Sequence, residues 1–485
     1  MQDGQEDSAR FVKKIKEKVH DWKSRHLWAT RISAFIFLLL FFSFVVLTYA
    51  NFYRVHTNVA SARYMLSALV QSQAAIIAIV ISLTLIAVQL TASAYSPRVI
   101  SIFRHSYGWQ ALFVLYGISI FYGLLVLKMI KGADDLSPIT YLDISLEGHI
   151  SIAYALGCLT FAMLIMYLQS IINFLNPASI IKRLAKEITK DKILNSKEDP
   201  IQPIMDIIHG SIMKYDFGTT RVGLRAVAER AIVIIDLDGE EEISRCFCDY
   251  LRRVSRLAVS KMDEESTVEV IENLENFGKS TAEKGLEYAV KQAARTIEGV
   301  GARAFATRKE LEYVAWKAAE SLGDVGSVAV ENELESATIL IVGALERIGK
   351  TATEKVFEDV VDRVVESLGL VGEAAAEKKL DRATRQAAQC LGFVGTFAAT
   401  KEFKRAISNT VFSLGLIGKI AAKKGLEIAT QQAAMSLAEL TLPSEEVVKT
   451  AIRKYEYELK EQDRDSFQKF MKLYEQELEK LRAKK

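Results

Sequence analysis

The sequence has few of the residues that metal sites, disulfide frameworks and catalytic centres require. Only four of its 485 residues are cysteines and six are histidines. The cysteines are too scattered for a disulfide framework, and Cys246-Phe-Cys248 lacks the paired spacing and nearby histidines of a zinc site. No histidine stands at a metal-ligand spacing from a second ligand, and no lysine-containing phosphate-binding loop occurs. We therefore predict no catalytic residues, no metal, no cofactor and no enzymatic activity.

Proline is also scarce, with six residues in the chain and none between Pro203 and Pro443. Because proline removes a hydrogen bond inside a helix and clashes with the preceding turn, its absence permits uninterrupted helices there. The fold class that we predict is all-α, with four transmembrane helices followed by a cytosolic α-solenoid of short repeats.

An excess of charge of one sign is missing as well. The chain has 62 basic and 60 acidic residues, and the two kinds are interleaved along its second half without a basic stripe. We therefore predict no nucleic-acid binding.

Long hydrophobic runs are abundant, and nearly all of them lie before residue 176. A helix of about 20 apolar residues crosses the hydrocarbon core of a bilayer. The runs predict spans at residues 30–50, 69–92, 109–129 and 150–174, within a transmembrane domain over 29–176. Residues 1–28 predict a basic amphipathic helix, either on the lipid membrane surface or packed on the protein's own soluble part.

The distribution of charge around the spans predicts their orientation. Basic residues dominate the N-terminal segment, the loop between the second and third spans, and the segment after the fourth. The loop between the third and fourth spans is acidic instead, with Asp134, Asp135, Asp143 and Glu147. Because basic loops stay on the cytoplasmic side, we expect a multi-pass plasma (inner) membrane protein with both termini cytoplasmic. The outer acidic loop would either concentrate cations at an entrance or simply stay hydrated.

The second predicted span, within Leu69 to Arg98, is unusually polar. The residues that share one helical face are Gln71, Ser82, Gln89, Ser93 and Ser96. Polar groups that face acyl chains are costly, so this stripe should face protein or water. It is either a helix-packing seam or, after homo-oligomerisation, the lining of a hydrophilic pathway. At its end, Pro97 should stop the helix, while Arg98 and Arg104 should meet lipid phosphates.

The same span carries a family resemblance. The residues concerned are Ser82-Leu-Thr84, Gln89-Leu90, Ser93 and Ser96-Pro97-Arg98. They resemble the S-x-T…Q-L-x-x-S-x-x-S-P-R signature of a prokaryotic family of predicted membrane proteins of unknown function. Members of that family are similar in having four spans followed by a soluble part. The resemblance therefore implies a membrane protein, and it implies no reaction.

From residue 251 the sequence repeats every 23 residues, with one step of 25. The units follow the pattern L-x-x-φ-G-x-x-A, where φ is an apolar residue, and the first unit has Ser255 in place of the glycine. They start at Leu251, Leu274, Ile297, Leu322, Leu345, Leu368, Leu391 and Leu414. The repeat glycines are Gly278, Gly301, Gly326, Gly349, Gly372, Gly395 and Gly418. The pattern resembles HEAT-like repeats and predicts an α-solenoid over residues 251–440. Such surfaces commonly bind proteins, so a cytosolic protein partner is one prediction, and a rigid spacer or oligomerisation collar is the other.

The repeat length also predicts where the chain turns. Residues 23 apart on one continuous helix would differ by about 140° in direction, so equivalent positions would not share a face. Each unit must therefore turn back. We place the turn at the repeat glycine, between a longer helix such as 380–391 and a short helix after it. The two extra residues fall in 304–310, where this scheme has a loop.

The remaining segments connect and close the predicted domains. Residues 177–250 should form a helical adaptor between the membrane and the repeats. Residues 441–485 should form charged amphipathic helices that either cap the last repeat or pair between subunits as a coiled coil.

Three functions fit these features. The first is a homo-oligomeric, channel-like membrane protein whose second span lines an ion pathway and whose solenoid gates, senses or assembles. The second is a membrane-anchored scaffold whose solenoid binds a protein partner at the cytoplasmic face. The third is a membrane-embedded enzyme or lipid-handling protein that uses Arg98 and Arg104 at the headgroup level.

Overall fold

The computed structural model describes residues 59–94, 107–131, 140–141, 144–196, 199–307, 311–458 and 464–484. Within these ranges the chain is helical apart from short connections and one small pair of strands. It forms two compact units, which divide after Leu175. The predicted N-terminal amphipathic helix and the predicted span at residues 30–50 lie outside the described residues.

The first unit contains three long helices, α1 (Val59–Ala94), α2 (Tyr107–Lys131) and α3 (Leu146–Leu175). Strands β1 (Thr140–Tyr141) and β2 (Ile144–Ser145) pair antiparallel between α2 and α3, with Thr140 opposite Ser145. Three helical stretches are long and apolar enough to cross a membrane: Ala60–Gln89, Leu112–Ile130 and Leu146–Leu168. Three of the four predicted spans therefore correspond to candidate spans in the described part of the chain.

Apolar packing at both ends holds these three helices together. One cluster joins the start of α1 to the end of α2 and the start of α3, through residues such as Leu66, Ile130 and Ile150. A second joins the later part of α1 to the start of α2 and the end of α3, through Val80 and Tyr116 among others. Helix α2 is therefore antiparallel to α1 and α3, as three successive crossings of a membrane require.

The second unit is an array of shorter helices. The adaptor region contains α4 (Pro177–Glu187), α5 (Lys190–Asn195), α6 (Gln202–Met213) and α7 (Phe217–Ile234). The repeats form α8 (Glu240–Ser260), α9 (Glu264–Glu283), α10 (Glu287–Thr307), α11 (Glu312–Glu331), α12 (Glu335–Lys355), α13 (Glu358–Glu377), α14 (Asp381–Thr400), α15 (Lys404–Lys424) and α16 (Glu427–Thr441). The last two helices are α17 (Glu445–Glu458) and α18 (Arg464–Lys484).

Each repeat from α8 to α15 is a single helix, and the helices stack in two rows. Helices α9, α11, α13 and α15 pack in one row and α8, α10, α12, α14 and α16 in the other, while consecutive helices also pack together. The leucine or isoleucine that opens each repeat is fully buried. Two successive repeats therefore make one antiparallel helix pair, and the array buries its apolar faces between neighbours.

The prediction that each repeat turns at its glycine is wrong. All seven repeat glycines lie inside helices, and Gly395, for example, is in the later part of α14. The turns come four positions after the small residue that ends each motif. Glu333 follows Ala329 in this way and Lys379 follows Ala375, and both Glu333 and Lys379 have a positive backbone dihedral angle φ. The next N–H then donates to the carbonyl of the small residue, as in Leu334 N to Ala329 O at 2.9 Å. This is the hydrogen bond of a helix C-terminus that ends in a left-handed residue.

The C-terminal helices cover the end of the array. Helix α17 packs against α15, and α18 packs against α15 and α16. Phe470 of α18 is fully buried, and the Tyr474 hydroxyl lies 3.1 Å from Thr441 Oγ1. Within one chain, these contacts are those predicted for a cap on the last repeat.

Candidate functional site

Helix α1 carries polar residues on two opposite faces. Successive residues of an α-helix are rotated by 100°, so Gln71 and Gln73 point about 200° apart. Leu66, Val80 and Ala87 lie within about 40° of Gln73, and all four are buried. This face of α1 therefore packs against α2 and α3, and the face that contains Gln71 lies opposite it.

The predicted polar stripe lies on the outward face. Gln71, Ser82 and Gln89 are exposed on the three-helix unit, and so are Ala75 and Ala78 between them. The Ser82 hydroxyl donates a hydrogen bond to the Ala78 carbonyl at 3.1 Å, within the same helix. The stripe is therefore not a seam between α1 and the other two described spans.

Among the three described spans, polar packing involves residues that the sequence interpretation missed. Gln73 is fully buried, and its Nε2 donates to Ser119 Oγ of α2 at 2.9 Å and to Thr160 Oγ1 of α3 at 3.0 Å. Further along α1, Thr84 Oγ1 and the Tyr167 hydroxyl of α3 are 2.5 Å apart. Hydrogen bonds of this kind join helices where no water competes for them. The sequence feature that could have identified Gln73 is its position two residues after Gln71, which places it on the opposite face of the helix.

Most of the other predicted membrane residues lie outside the described part of the chain. Ser93 is within α1, but its side chain is outside the described part, as are Ser96, Pro97, Arg98 and Arg104. Of the outer acidic residues, Asp134, Asp135 and Asp143 also lie outside it. Glu147 is described, and it lies half-buried in the first turn of α3.

The repeat glycines are packing residues. A Cβ atom added at Gly395 would lie 2.7 Å from Thr410 Cγ2, and one at Gly349 would lie 2.9 Å from Val364 Cγ1. These distances are too short for carbon atoms in contact, so the glycines allow neighbouring helices to approach closely. In the described ranges, no group of three or more histidine, cysteine, aspartate or glutamate side chains is placed to hold a metal ion.

Residues 24–210 match the model of a family described as "Predicted membrane protein (DUF2254)". This confirms the family resemblance over the membrane part and the start of the adaptor, and the repeats lie beyond the matched residues. No curated protein matches the chain. One similar solved structure is entitled "Circular tandem repeat protein with novel repeat topology and enhanced subunit contact surfaces". It is 12% identical, the match covers 87% of this chain and 91% of that one, and the TM-score is 0.34.

Proposed function

We propose that this predicted membrane protein, with its three candidate spans and its helical repeat array, is a homo-oligomeric channel-like protein of the plasma membrane. Its subunits bring the stripe of Gln71, Ser82 and Gln89 together around a hydrophilic pathway. Both termini are cytoplasmic, and the array gates, senses or assembles the pore from that side. The observation that carries this proposal is the outward direction of the stripe, opposite the face that packs against α2 and α3.

The length of the stripe supports a pathway. Gln71 and Gln89 are 18 residues apart, which corresponds to about 27 Å along a helix. The hydrocarbon core is about 30 Å thick. Polar groups therefore stand near both ends of this depth, and pores can also contain apolar stretches such as the alanines between Gln71 and Ser82.

The chemistry of the stripe is also suitable. Its amide and hydroxyl groups are neutral, and Ala75 and Ala78 leave room between them. Neutral oxygen atoms replace part of the hydration shell of a cation without holding it too tightly to leave. Exposed apolar residues such as Ile79, Leu83 and Leu85 flank the stripe and are suited to lipid or to a neighbouring subunit.

Flux through reconstituted vesicles tests the proposal. Ser82→Leu and Gln89→Leu should reduce cation flux at least about tenfold, because each places an apolar side chain where ions must be solvated. Ser72→Leu is the matched control, since Ser72 is exposed on the same helix but points about 100° away from Gln71. Equal flux through all three variants and the wild type, or no flux at all, would contradict a channel.

A membrane-anchored scaffold is the second candidate. It is favoured by a cleft of about 440 Å³ on the repeat array, lined by aromatic and charged side chains of α11, α13 and α15. A scaffold would tolerate the stripe variants and would lose its function when this surface is changed.

A further inference from the structure

The cleft lies where the first turns of three helices of one row meet. Tyr313 and Trp316 of α11 form one wall, Asp359, Asp362 and Arg363 of α13 form the floor, and Arg405 of α15 closes the other side. Its remaining lining residues are Glu312, Val360 and Glu366. Four carboxyl groups and two guanidinium groups therefore line it, which leaves it acidic.

The aromatic wall offers flat faces to a ligand. The Tyr313 and Trp316 rings are stacked, with centroids 5.6 Å apart and an angle of 13° between their planes. Tyr313 is 50% exposed. The guanidinium of Arg363 lies 4.3 Å from the centre of the Trp316 ring. The wall already binds one guanidinium by the attraction between a cation and an aromatic face.

The floor contains a buried carboxylate. Asp362 Oδ1 accepts a hydrogen bond from Asn409 Nδ2 at 3.0 Å, and Oδ2 lies 2.5 Å from Arg405 Nε. The Asp362 side chain is only 4% exposed, while that of Arg405 is 67% exposed. Burial raises the pKa of the Asp362 carboxyl, since the charged form loses its hydration. The charged form of Asp362 is therefore favoured mainly by a cation beside it, and the one present belongs to an exposed side chain.

We infer that this cleft binds an arginine side chain of a protein partner. Its own arginines show the two contacts that such a ligand would make, one guanidinium on an aromatic face and one on a buried carboxylate. A planar guanidinium satisfies both, whereas the compact, strongly hydrated lysine ammonium stacks less well. The exposed Asp359 and the remaining acidic residues attract the cation, and displacement of Arg405 frees Asp362 to receive it. This inference specifies the partner of the scaffold role and rests on it.

Peptide binding to the full-length protein in detergent tests the site. The probe is a short, labelled peptide of glycine and serine with one central arginine and blocked ends, followed by fluorescence anisotropy. A second peptide carries citrulline, the uncharged analogue of arginine, at the same position, and a third carries lysine. We expect saturable binding of the arginine peptide, at least about tenfold weaker binding of the citrulline peptide, and an intermediate lysine peptide.

Variants of the cleft give effects of opposite sign. Trp316→Leu and Asp359→Asn should each weaken binding of the arginine peptide at least about tenfold, and Asp359 is exposed, so its change should leave folding intact. Arg405→Ala should strengthen binding about threefold or more, because it removes the internal competitor for Asp362. Lys404→Ala is the matched control for the loss of an exposed positive charge, and Glu354→Gln for the loss of an exposed negative one.

The outcomes separate this site from the broader proposals. Equal binding of the arginine and citrulline peptides, or equal effects of Arg405→Ala and Lys404→Ala, would overturn the arginine site while leaving the array as a peptide-binding surface. No saturable binding of any of the three peptides would overturn the site and count against the scaffold role. Flux through the membrane unit is measured separately, since none of these variants lies in it.

Discussion

Gln71 and Gln73 are the same residue type, two positions apart on one helix, in opposite environments. Gln71 is exposed, and Gln73 is buried with hydrogen bonds to both neighbouring spans. The sequence shows both glutamines, but only the packing of α1 decides which one is structural. A polar stripe can be predicted from helical periodicity, whereas the partners of each side chain depend on how the three helices associate.

The two glutamines provide a matched pair of substitutions. Gln73→Ala should lower the free energy of unfolding by about 1–3 kcal/mol, because it removes two buried hydrogen bonds and leaves a cavity. Gln71→Ala should change it by less than about 0.5 kcal/mol in the solubilised protein. Thermal unfolding in detergent measures both. Equal destabilisation by the two substitutions would mean that the outward face is packed as tightly as the inward one.

Glu275 links neighbouring helices of the array and gives a dependence on pH. It accepts hydrogen bonds from Lys279 Nζ at 2.7 Å and from Ser321 Oγ of the next helix in its row at 2.6 Å. Burial alone would raise the pKa of Glu275, but these hydrogen bonds and the charges of Lys279 and Lys317 outweigh burial, and its pKa is lowered. A carboxyl whose pKa is lower in the folded chain stabilises the fold at neutral pH, and the stabilisation is lost as the pH falls through that pKa.

Glu275→Gln should therefore destabilise the protein at pH 7, by about 1–3 kcal/mol. The difference from the wild type should shrink as the pH falls below the ordinary carboxyl range, because the wild-type residue is then protonated as well. Thermal midpoints recorded from neutral to acidic pH measure this. The control is Glu354→Gln, an exposed change that should show neither effect. A difference that stays constant with pH would contradict the account.

At the scale of the element, the repeat length and the buried leucines could be predicted from the sequence, but the position of the turn could not. Glycine is the usual residue at a left-handed helix end, so a glycine in every repeat indicated a turn. Here Met262, Glu333, Val356, Lys379 and Glu402 adopt positive φ instead, and glycine does so only at Gly285 and Gly425 among the described turns of the repeats. The repeat glycines serve close packing, a need that appears only when neighbouring helices are present.

Substitutions of two glycines distinguish these roles. Gly395→Ala should destabilise the protein by about 1–3 kcal/mol, since the new methyl group would lie 2.7 Å from Thr410 Cγ2 and 3.2 Å from its Cβ. Gly299→Ala should stabilise it by about 0.5–1 kcal/mol, because alanine favours the helix and the nearest atom, Arg303 Nη2, is 3.8 Å away. Thermal unfolding compares the two. Stabilisation by both would show that the repeat glycines are not required for close packing.

For the whole molecule, the membrane part and the helical repeats could be predicted from hydropathy and periodicity, since each is a property of sequence alone. The alternatives for the stripe could not be separated in that way, because a packing seam and a pathway have the same composition. The structure excludes one kind of packing seam, namely a contact between the stripe and the other two described spans. What the stripe faces beyond these three helices determines whether the proposed pathway exists.

Water accessibility of the stripe in intact membranes tests this most directly. The four native cysteines are replaced, and Ser82→Cys and Leu83→Cys are compared for reaction with a charged, membrane-impermeant thiol reagent. The two positions lie at the same depth but point about 100° apart, and both are exposed on the three-helix unit. A water-filled pathway predicts rapid modification of Ser82→Cys and little of Leu83→Cys. Protection of both, or equal reaction of both, would contradict a pathway along this face of α1.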